Sequence, residues 1–383
     1  MAVTLFEAQD RIGMDAHGLE IDGGRVDVPL RVMSSGHWQR MLALAERHGQ
    51  SCFEVDVHTS CSWQDGRCWF RSGRMPLTGW PIAGSLRYLN LASLRLAIGL
   101  GKLTHLTRRL QSEHSDIPLS QVQDRFHPQF WRGLVLPILA TICTCEERHL
   151  LNWPARPLLT LLHGILHSDR LFRLSHGTSA LADSLADGLK CHLGSPVKQL
   201  EQSDDSVTVL NARGDGGRFD HAAIATQANQ LDFLQGSLED ERRVLSAIPY
   251  ADGELLIHRD PRFMPARRKD WTALNFQMDR SLSENMFTVW VNAVEPTLAE
   301  AEPVFQTWNP LYPPAEETVL ARIPMQRAVV SQANAGVLRQ LAKWHDQPNR
   351  RVFYTGSWAW EGVPLLESGV RSAESVVKYL RRR

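Results

Sequence analysis

Short β-branched and aromatic runs open the chain, a long Leu-rich helical region follows, and strand-like runs then return. The first runs predict strands at residues 3–7, 19–28, 52–57 and 67–70. Apolar residues at helical spacing predict helices at 36–49, 86–110, 118–125, 130–148, 157–167 and 177–189. Later strands are predicted at 197–200, 206–210, 219–225, 254–258, 271–278, 286–293 and 318–325. A helix at 331–345, a strand at 352–356 and a helix from about Ser368 close an α/β pattern.

The composition fits a soluble chain of more than one domain. Its 383 residues correspond to roughly two to three domains, and the strands from 254 onwards predict a separate antiparallel sheet. With 43% hydrophobic and 22% charged residues, a sizeable core can form. The 42 basic and 42 acidic residues cancel, so no overall positive field favours nucleic acid.

The cysteine pattern and the apolar runs bear on location. The six cysteines are sparse and form no C-x-x-C pair, which favours a reducing compartment. The start of the chain does not resemble a signal peptide. The longest apolar run, residues 133–143, is shorter than the roughly 18 residues of a membrane-spanning helix. A cytoplasmic protein is therefore expected.

An apolar strand that ends in an acid, Val3 to Glu7, is the first motif with a chemical meaning. Dinucleotide-binding βαβ units place there the carboxylate that binds a ribose hydroxyl. Their G-x-G-x-x-G turn lies about 20 residues before the acid, but only six residues precede Glu7. The other Gly-rich stretches, at 99–101 and 214–217, lack the strand-turn-helix setting.

Several segments resemble FAD-dependent amine oxidases and phytoene-desaturase-like flavoproteins. Residues 3–13 are similar to the second strand and loop of that family, and 352–358 with 366–373 are similar to its last FAD-binding strand, loop and helix. Residues 255–310 resemble a bacterial subgroup of NAD/FAD-binding oxidoreductases whose members often accompany cyclopropane-fatty-acyl-phospholipid synthase. The resemblance spans nearly the whole chain. It implies a Rossmann-like FAD-binding domain of amine oxidase type, N-terminally truncated, with an inserted α+β substrate domain.

The resemblance also implies domain bounds and explanations of the absent glycine turn. The FAD-binding domain is expected to comprise residues 1–50, 170–250 and 346–383, and the substrate domain residues 51–169 and 251–345. Either Met1 is an internal methionine of a longer gene, or the chain is a shortened variant. Because the later cofactor motifs are legible, the first explanation is favoured.

Cofactor-binding positions follow from the same resemblance. Glu7 is expected at the ribose, the backbone of Val197 at the adenine, and the start of the last helix at a flavin carbonyl or phosphate. Glu367 is expected to orient a polar group of the cofactor. The predicted FAD-binding residues are Glu7, Arg11, Gly13, Val197, Gly356, Trp358, Glu367, Gly369 and Val370. The pocket candidates are His258, Asn275, Trp290 and Asn309, and no residue is assigned a catalytic role.

The segment from Leu86 to Arg109 combines helical spacing with basic residues and no acid. At 100° per residue its bases share one face, although Leu91, Leu94 and Ile98 intrude on that side. A basic amphipathic helix can lie on an anionic membrane, which makes peripheral contact at the inner membrane surface one hypothesis. A substrate-domain helix with a solvated basic side is the other.

Other chemistry has weaker support in the sequence. His163 and His167 lie one helical turn apart, and Cys143, Cys145 and His149 are near in sequence, but the spacings are not those of common zinc sites. These residues are interpreted as packing or surface residues, and no metal is predicted.

The sequence thus predicts an FAD-dependent oxidoreductase that removes a hydride from a substrate C–H bond. A lipid or fatty-acyl chain is the first choice of substrate and an amine the second. The alternative is a non-catalytic, truncated flavoprotein-like fold that serves as a binding or structural subunit.

Overall fold

The structure is a computed structural model that describes residues 2–13, 18–74, 81–143, 146–167, 170–329 and 334–382. The predictions that concern Met1 and Cys145 fall outside the described residues. The strands are β1 (Thr4–Phe6), β2 (Leu19–Ile21), β3 (Gly24–Val26), β4 (Met33–Ser34), β5 (Cys52–Glu54), β6 (Thr59–Trp63), β7 (Cys68–Arg74), β8 (Pro81–Ala83), β9 (Leu171–Leu174), β10 (Lys190–His192), β11 (Val197–Gln202), β12 (Val207–Asn211), β13 (Gly216–Phe219), β14 (Ala222–Ile224), β15 (Tyr250–His258), β16 (Leu274–Met278), β17 (Asn285–Trp290), β18 (Phe305–Trp308), β19 (Val319–Ala328) and β20 (Val352–Tyr354). The helices are α1 (Gln39–Arg47), α2 (Leu91–Ser112), α3 (Pro128–Phe130), α4 (Leu136–Cys143), α5 (Glu147–Leu150), α6 (Ala155–His167), α7 (Gly177–Ala186), α8 (Glu239–Leu245), α9 (Asn334–His345) and α10 (Leu366–Arg381).

Parallel strand pairs join distant parts of the chain. Strand β1 pairs with β10, and β14 pairs with β20. The ring of Phe6 stacks on His192 with centroids 5.0 Å apart and meets Phe219 edge-on. These contacts place the N-terminal strand beside the 190–220 region, and the C-terminal strand beside residues 222–224.

The largest sheet has eight strands in the order β19-β15-β18-β17-β16-β6-β7-β8. Its pairs are antiparallel except β16 with β6, which run parallel. The expected second sheet is therefore present, with three strands from the first part of the chain added to it. Strand β18 lies in its interior although its Phe-Gln-Thr-Trp sequence gave no strand prediction; all four residues are buried.

Helices α2, α4 and α6 belong to the same hydrophobic core as this sheet. Trp131, Trp153 and Leu103 are among its largest fully buried side chains. The ring of Phe130 lies directly over Gly99 of α2, where a Cβ would stand 2.2 Å from the ring. This close approach of α2 and α3 requires the missing side chain of glycine.

Three predicted elements are corrected by the structure. The run 219–225 is divided between β13, which completes an antiparallel hairpin with β12, and β14, which pairs with β20. Residues 118–125 form two short 3-10 turns, so no continuous helix is present there. The predicted helix at 130–148 contains a π-helical segment, Trp131–Val135, before α4, and α4 ends at Cys143.

Among the described residues, no helix is long and apolar enough to cross a membrane.

Candidate active site

A cavity of about 540 Å³ lies between the large sheet and the segments that precede α1 and α10. Its floor is the face of the sheet that carries Leu255, Phe287 and Val289, because alternate residues of a strand point to the same side. Helix α4 closes a second side with Ile138 and Ile142. The wall is thus assembled from parts of the chain that are far apart in sequence.

The cavity wall is mostly apolar and carries two guanidinium groups. Arg31 donates to the carbonyl oxygen of Pro29 at 3.1 Å, and Arg327 donates to that of Pro364 at 3.1 Å. Both are half-buried. The described residues that line the cavity include no Asp, Glu, Lys, His or Cys. An anionic group in this cavity would therefore meet the positive charge of two arginines.

Two polar side chains of the wall differ in how they are satisfied. The hydroxyl oxygen of Tyr250 accepts a hydrogen bond from the N–H of Ala228 at 2.8 Å, and burial raises the pKa of this phenol to about 12. Gln227 donates through Nε2 to the carbonyl oxygen of Gln326 at 3.3 Å, but its Oε1 is buried with no partner. Gln227 Oε1 is therefore an acceptor that a ligand N–H can satisfy.

The segment between β20 and α10 forms one end of the cavity. Gly356 has φ +128°, a conformation open to glycine, and an added Cβ would lie 3.2 Å from Trp358 Nε1. Ser372 fixes this turn, because its hydroxyl accepts from the N–H of Gly356 at 3.0 Å. Trp358 lines the cavity and donates through Nε1 to the carbonyl oxygen of Thr226 at 2.9 Å. The turn is thereby held against the loop after β14.

Helix α10 begins at this end of the cavity. Leu365 and Leu366 line the cavity, and no side chain caps the helix. The first N–H groups of an uncapped helix are donors and carry the positive end of its dipole. Gly369 lies where an added Cβ would be 3.8 Å from the N atom of Ser357, and the half-buried Val370 packs against the main core.

The carboxylate of Glu367 is directed at helix α1. It is 2% exposed, and its Oε2 accepts from the backbone N–H groups of Arg40 and Met41, both at 2.9 Å. Its Oε1 accepts from Arg371 Nε at 2.8 Å. Glu367 therefore joins the first turns of α1 and α10.

The residues expected at the adenosine end occupy a second region. Glu7 accepts through its backbone oxygen from Ser195 N at 2.8 Å, which brings it next to the segment that leads into Val197. Glu7 and Val197 are half-buried, whereas Arg11 and Gly13 are exposed. The structure thus places Glu7 and Val197 on neighbouring segments.

The four pocket candidates from the sequence do not line the cavity. His258 and Asn275 lie on the other face of the sheet, where Nε2 of His258 is 2.8 Å from Oγ1 of Thr307. Burial lowers the pKa of His258 to about 4. Asn309 occupies a turn with φ +43° and accepts from Glu254 N at 2.8 Å.

The cavity residues that sequence reasoning missed lack a local pattern. Gln306 is an example: its Oε1 accepts from Leu30 N at 2.9 Å and its Nε2 donates to Asp27 O at 2.7 Å. Arg31 lies 275 positions before Gln306, and Arg327 lies 21 positions after it. The loop that carries Arg31 contacts the large sheet through the Leu30–Gln306 hydrogen bond, which brings these side chains to one cavity.

The two histidines that lie one turn apart on α6 make contacts with each other and with α2. His163 and His167 stack with ring centroids 4.3 Å apart, and Nε2 of His167 is 3.3 Å from Thr104 Oγ1. In the part of the chain that the structure describes, no three His, Cys, Asp or Glu side chains are grouped to hold a metal ion.

The cavity end near α10 fits the ring system of a flavin. The Oε1 of Gln227, which has no partner, can accept from a ring N–H. The first N–H groups of α10 can donate to ring carbonyls, and Trp358 offers an aromatic wall. An apolar cavity with a few polar groups directed into it is the usual form of a cofactor-binding site.

The comparisons give the family. The chain belongs to the flavin containing amine oxidoreductase family, whose model matches residues 1–365. The cofactor of that family is a flavin, which agrees with the predicted FAD. No curated protein matches the chain.

Solved structures show the same fold at low identity. Cyclohexylamine oxidase from Brevibacterium oxydans has a TM-score of 0.67 at 14% identity, over 98% of this chain and 93% of its own. A CLA-producing fatty acid isomerase from P. acnes has a TM-score of 0.64 at 14% identity, over 98% and 92%. Putrescine oxidase bound to putrescine has a TM-score of 0.63 at 11% identity, over 99% and 93%. These similarities confirm the predicted α/β fold of the amine oxidase type.

Proposed function

We propose that this protein is an FAD-dependent oxidoreductase that oxidises an apolar substrate with an anionic head group, such as a fatty-acyl chain. The observation that carries the choice of substrate is the charge of the cavity wall. Arg31 and Arg327 line it, and no carboxylate does among the described residues. A protonated amine would meet two like charges there, whereas a carboxylate would gain charge-assisted hydrogen bonds.

The division of labour between two domains is part of the proposal. Residues 1–50, 170–250 and 346–383 are assigned to FAD binding, and residues 51–169 and 251–345 to the substrate. The parallel pairs β1–β10 and β14–β20 support this division, because each joins two of the three FAD-binding segments. The cavity receives residues from both groups of segments.

The flavin and the residues that would hold it have separate roles in the proposed reaction. The flavin supplies the acceptor for a hydride that leaves a substrate C–H bond. Gly356, Trp358, Gln227 and the first turn of α10 are proposed to hold its ring, while Glu7 and Val197 are proposed to hold the adenosine end. Arg11, Gly13, Glu367, Gly369 and Val370 complete the predicted binding set.

The chain also provides a pocket that excludes water and orients the substrate. Leucine, isoleucine, valine and phenylalanine side chains exclude water, and the two arginines fix the head group. Burial raises the pKa of the Tyr250 hydroxyl to about 12, so this phenol stays protonated well above neutral pH. Once the hydride has left, the substrate must also lose a proton to become neutral. The described residues that line the wall include no Asp, Glu, His, Lys or Cys, so this proton is assigned to solvent.

The test compares acids with amines. The flavin-loaded protein is mixed without oxygen with a panel of fatty acids, their alcohols and alkyl amines, and loss of the visible absorbance of oxidised flavin is followed. Fatty acids are expected to reduce the flavin. Arg31→Gln and Arg327→Gln should each weaken binding of an acid on the order of 10- to 100-fold and leave the matching alcohol unchanged.

The matched control is Arg213→Gln, which removes an exposed arginine of the β12–β13 turn. It should behave as the unaltered protein does with every compound. Reduction by amines alone, together with arginine variants that bind acids normally, would refute the proposal in favour of an amine oxidase. Absence of bound flavin would favour the binding or structural alternative.

A further inference from the structure

Five large aliphatic side chains stand in water at the start of helix α2. They are Leu86 (84% exposed), Leu89 (65%), Leu91 (61%), Leu94 (57%) and Ile98 (54%). We call these five residues the apolar edge. Single exposed leucines are ordinary on protein surfaces, but a contiguous group marks an interaction site.

The apolar edge is held in place by the fold. Tyr88 is 3% exposed and its hydroxyl donates to Asp270 at 2.5 Å, which anchors the turn that carries Leu86 and Leu89. Asn90 caps α2 by accepting from Ser93 N at 3.1 Å. The exposure therefore belongs to an ordered surface.

Helix α2 already has a buried face, and the apolar edge is not part of it. Leu96, Leu103, Leu106 and Leu110 point into the core, and Gln111 bonds to Thr160 of α6. At 100° per residue Leu91, Leu94 and Ile98 fall within about 60° of one another, on the opposite side. The helix thus has a second apolar surface that the described residues leave exposed.

Positive charge continues the same exposed side towards the end of α2. Lys102, Arg108 and Arg109 are exposed there, and Arg87 is exposed beside the apolar edge. No acidic residue occurs from 86 to 112; the first is Glu113, 3.4 Å from Arg109. At 1.5 Å rise per residue, apolar and basic parts each span about 10 Å of helix.

We propose that this surface docks on an anionic lipid bilayer, with the apolar edge in the acyl boundary and the basic residues at the head groups. A bilayer supplies both apolar depth and negative charge, and it matches both halves of the surface. A second copy of the chain supplies an apolar surface but no negative charge. Pairing of this face with itself would bring Arg87, Lys102 and Arg108 against like charges. The inference does not depend on the chemistry of the cavity.

Vesicle co-sedimentation of the full chain tests the proposal. The unaltered protein should bind vesicles of phosphatidylcholine with phosphatidylglycerol at least tenfold more tightly than phosphatidylcholine alone, and salt should reduce the difference. Leu91→Gln with Leu94→Gln should weaken binding on the order of tenfold or more. Lys102→Gln with Arg108→Gln should weaken it on the order of tenfold on anionic vesicles only.

The control pair is Leu193→Gln with Leu320→Gln, two leucines about 40% exposed at other places. It should bind vesicles as the unaltered protein does. Circular dichroism and sedimentation equilibrium accompany each variant. Vesicle binding that is absent, or equal in all variants, overturns the proposal. The proposal is also overturned if the unaltered protein is a dimer that does not bind vesicles and the Leu91→Gln, Leu94→Gln variant is a monomer. That result assigns the surface to contact with a second copy of the chain.

Discussion

Glu367→Gln tests whether the buried carboxylate at the start of α10 serves the fold or the cofactor. The carboxylate accepts the N–H groups of Arg40 and Met41 and the Nε–H of Arg371. The amide has nearly the same shape but no charge, and one of its two ends donates. The substitution therefore changes the electrostatics at the first turn of α1 with little change in packing.

The expected loss is about 2 kcal/mol of unfolding free energy. Hydrogen bonds to a charged group contribute roughly 1.5–3 kcal/mol, against about 0.5–1.5 for neutral ones, and two N–H groups at 2.9 Å are affected. The amide oxygen retains both bonds in weaker form. Arg371 is 38% exposed and can turn to water when its partner becomes a donor, so that contact adds little.

The assay is urea denaturation of the flavin-free and the flavin-loaded protein. If Glu367 acts by joining α1 to α10, the midpoint falls equally in both forms with an unchanged m-value. If it orients a cofactor group, as the sequence predicts, the loss appears only in the loaded form. A change below about 0.5 kcal/mol in both forms would refute the reasoning for either role.

Three further predictions rest on single contacts. Gly99→Ala should destabilise the protein by about 1–2 kcal/mol in urea denaturation. The added methyl group would overlap the Phe130 ring, and this overlap outweighs the gain of about 1 kcal/mol in helix propensity. A stabilised variant would contradict this prediction. Burial lowers the pKa of His258 and His345 to about 4, whereas in the unfolded chain it is about 6.5. The unfolding free energy should therefore be constant above about pH 6.5 and fall towards pH 4 by about 1.4 kcal/mol per pH unit for each histidine. Denaturation midpoints that do not change across this range would contradict the prediction. Trp358→Phe, which loses the indole bond to the loop after β14, should raise the dissociation constant for FAD about tenfold in a fluorescence titration, and unchanged affinity would remove Trp358 from the site.

The sequence by itself identified the flavoprotein family, the flavin and the alternation of strands and helices. The alternation follows from local patterns. The family and the flavin follow from a resemblance that contiguous stretches carry, namely a strand that ends in an acid and a strand-loop-helix at the other end. The sequence also placed Leu91, Leu94 and Ile98 on the basic side of α2, but only the structure showed that they are exposed. The predicted cofactor residues stay predictions.

The cavity was decided only by the tertiary structure. Arg31 and Arg327 line one cavity because the loop before β4 packs against the large sheet, and no local spacing in the sequence records that contact. Strand β18 shows the same limit, since Gln306 and Thr307 are polar in sequence but buried between β15 and β17. Glu367 shows it for a single side chain: its sequence position suggested a cofactor ligand, while packing turned its carboxylate towards α1. Side-chain direction depends on which elements pack together, and that is a property of the folded chain.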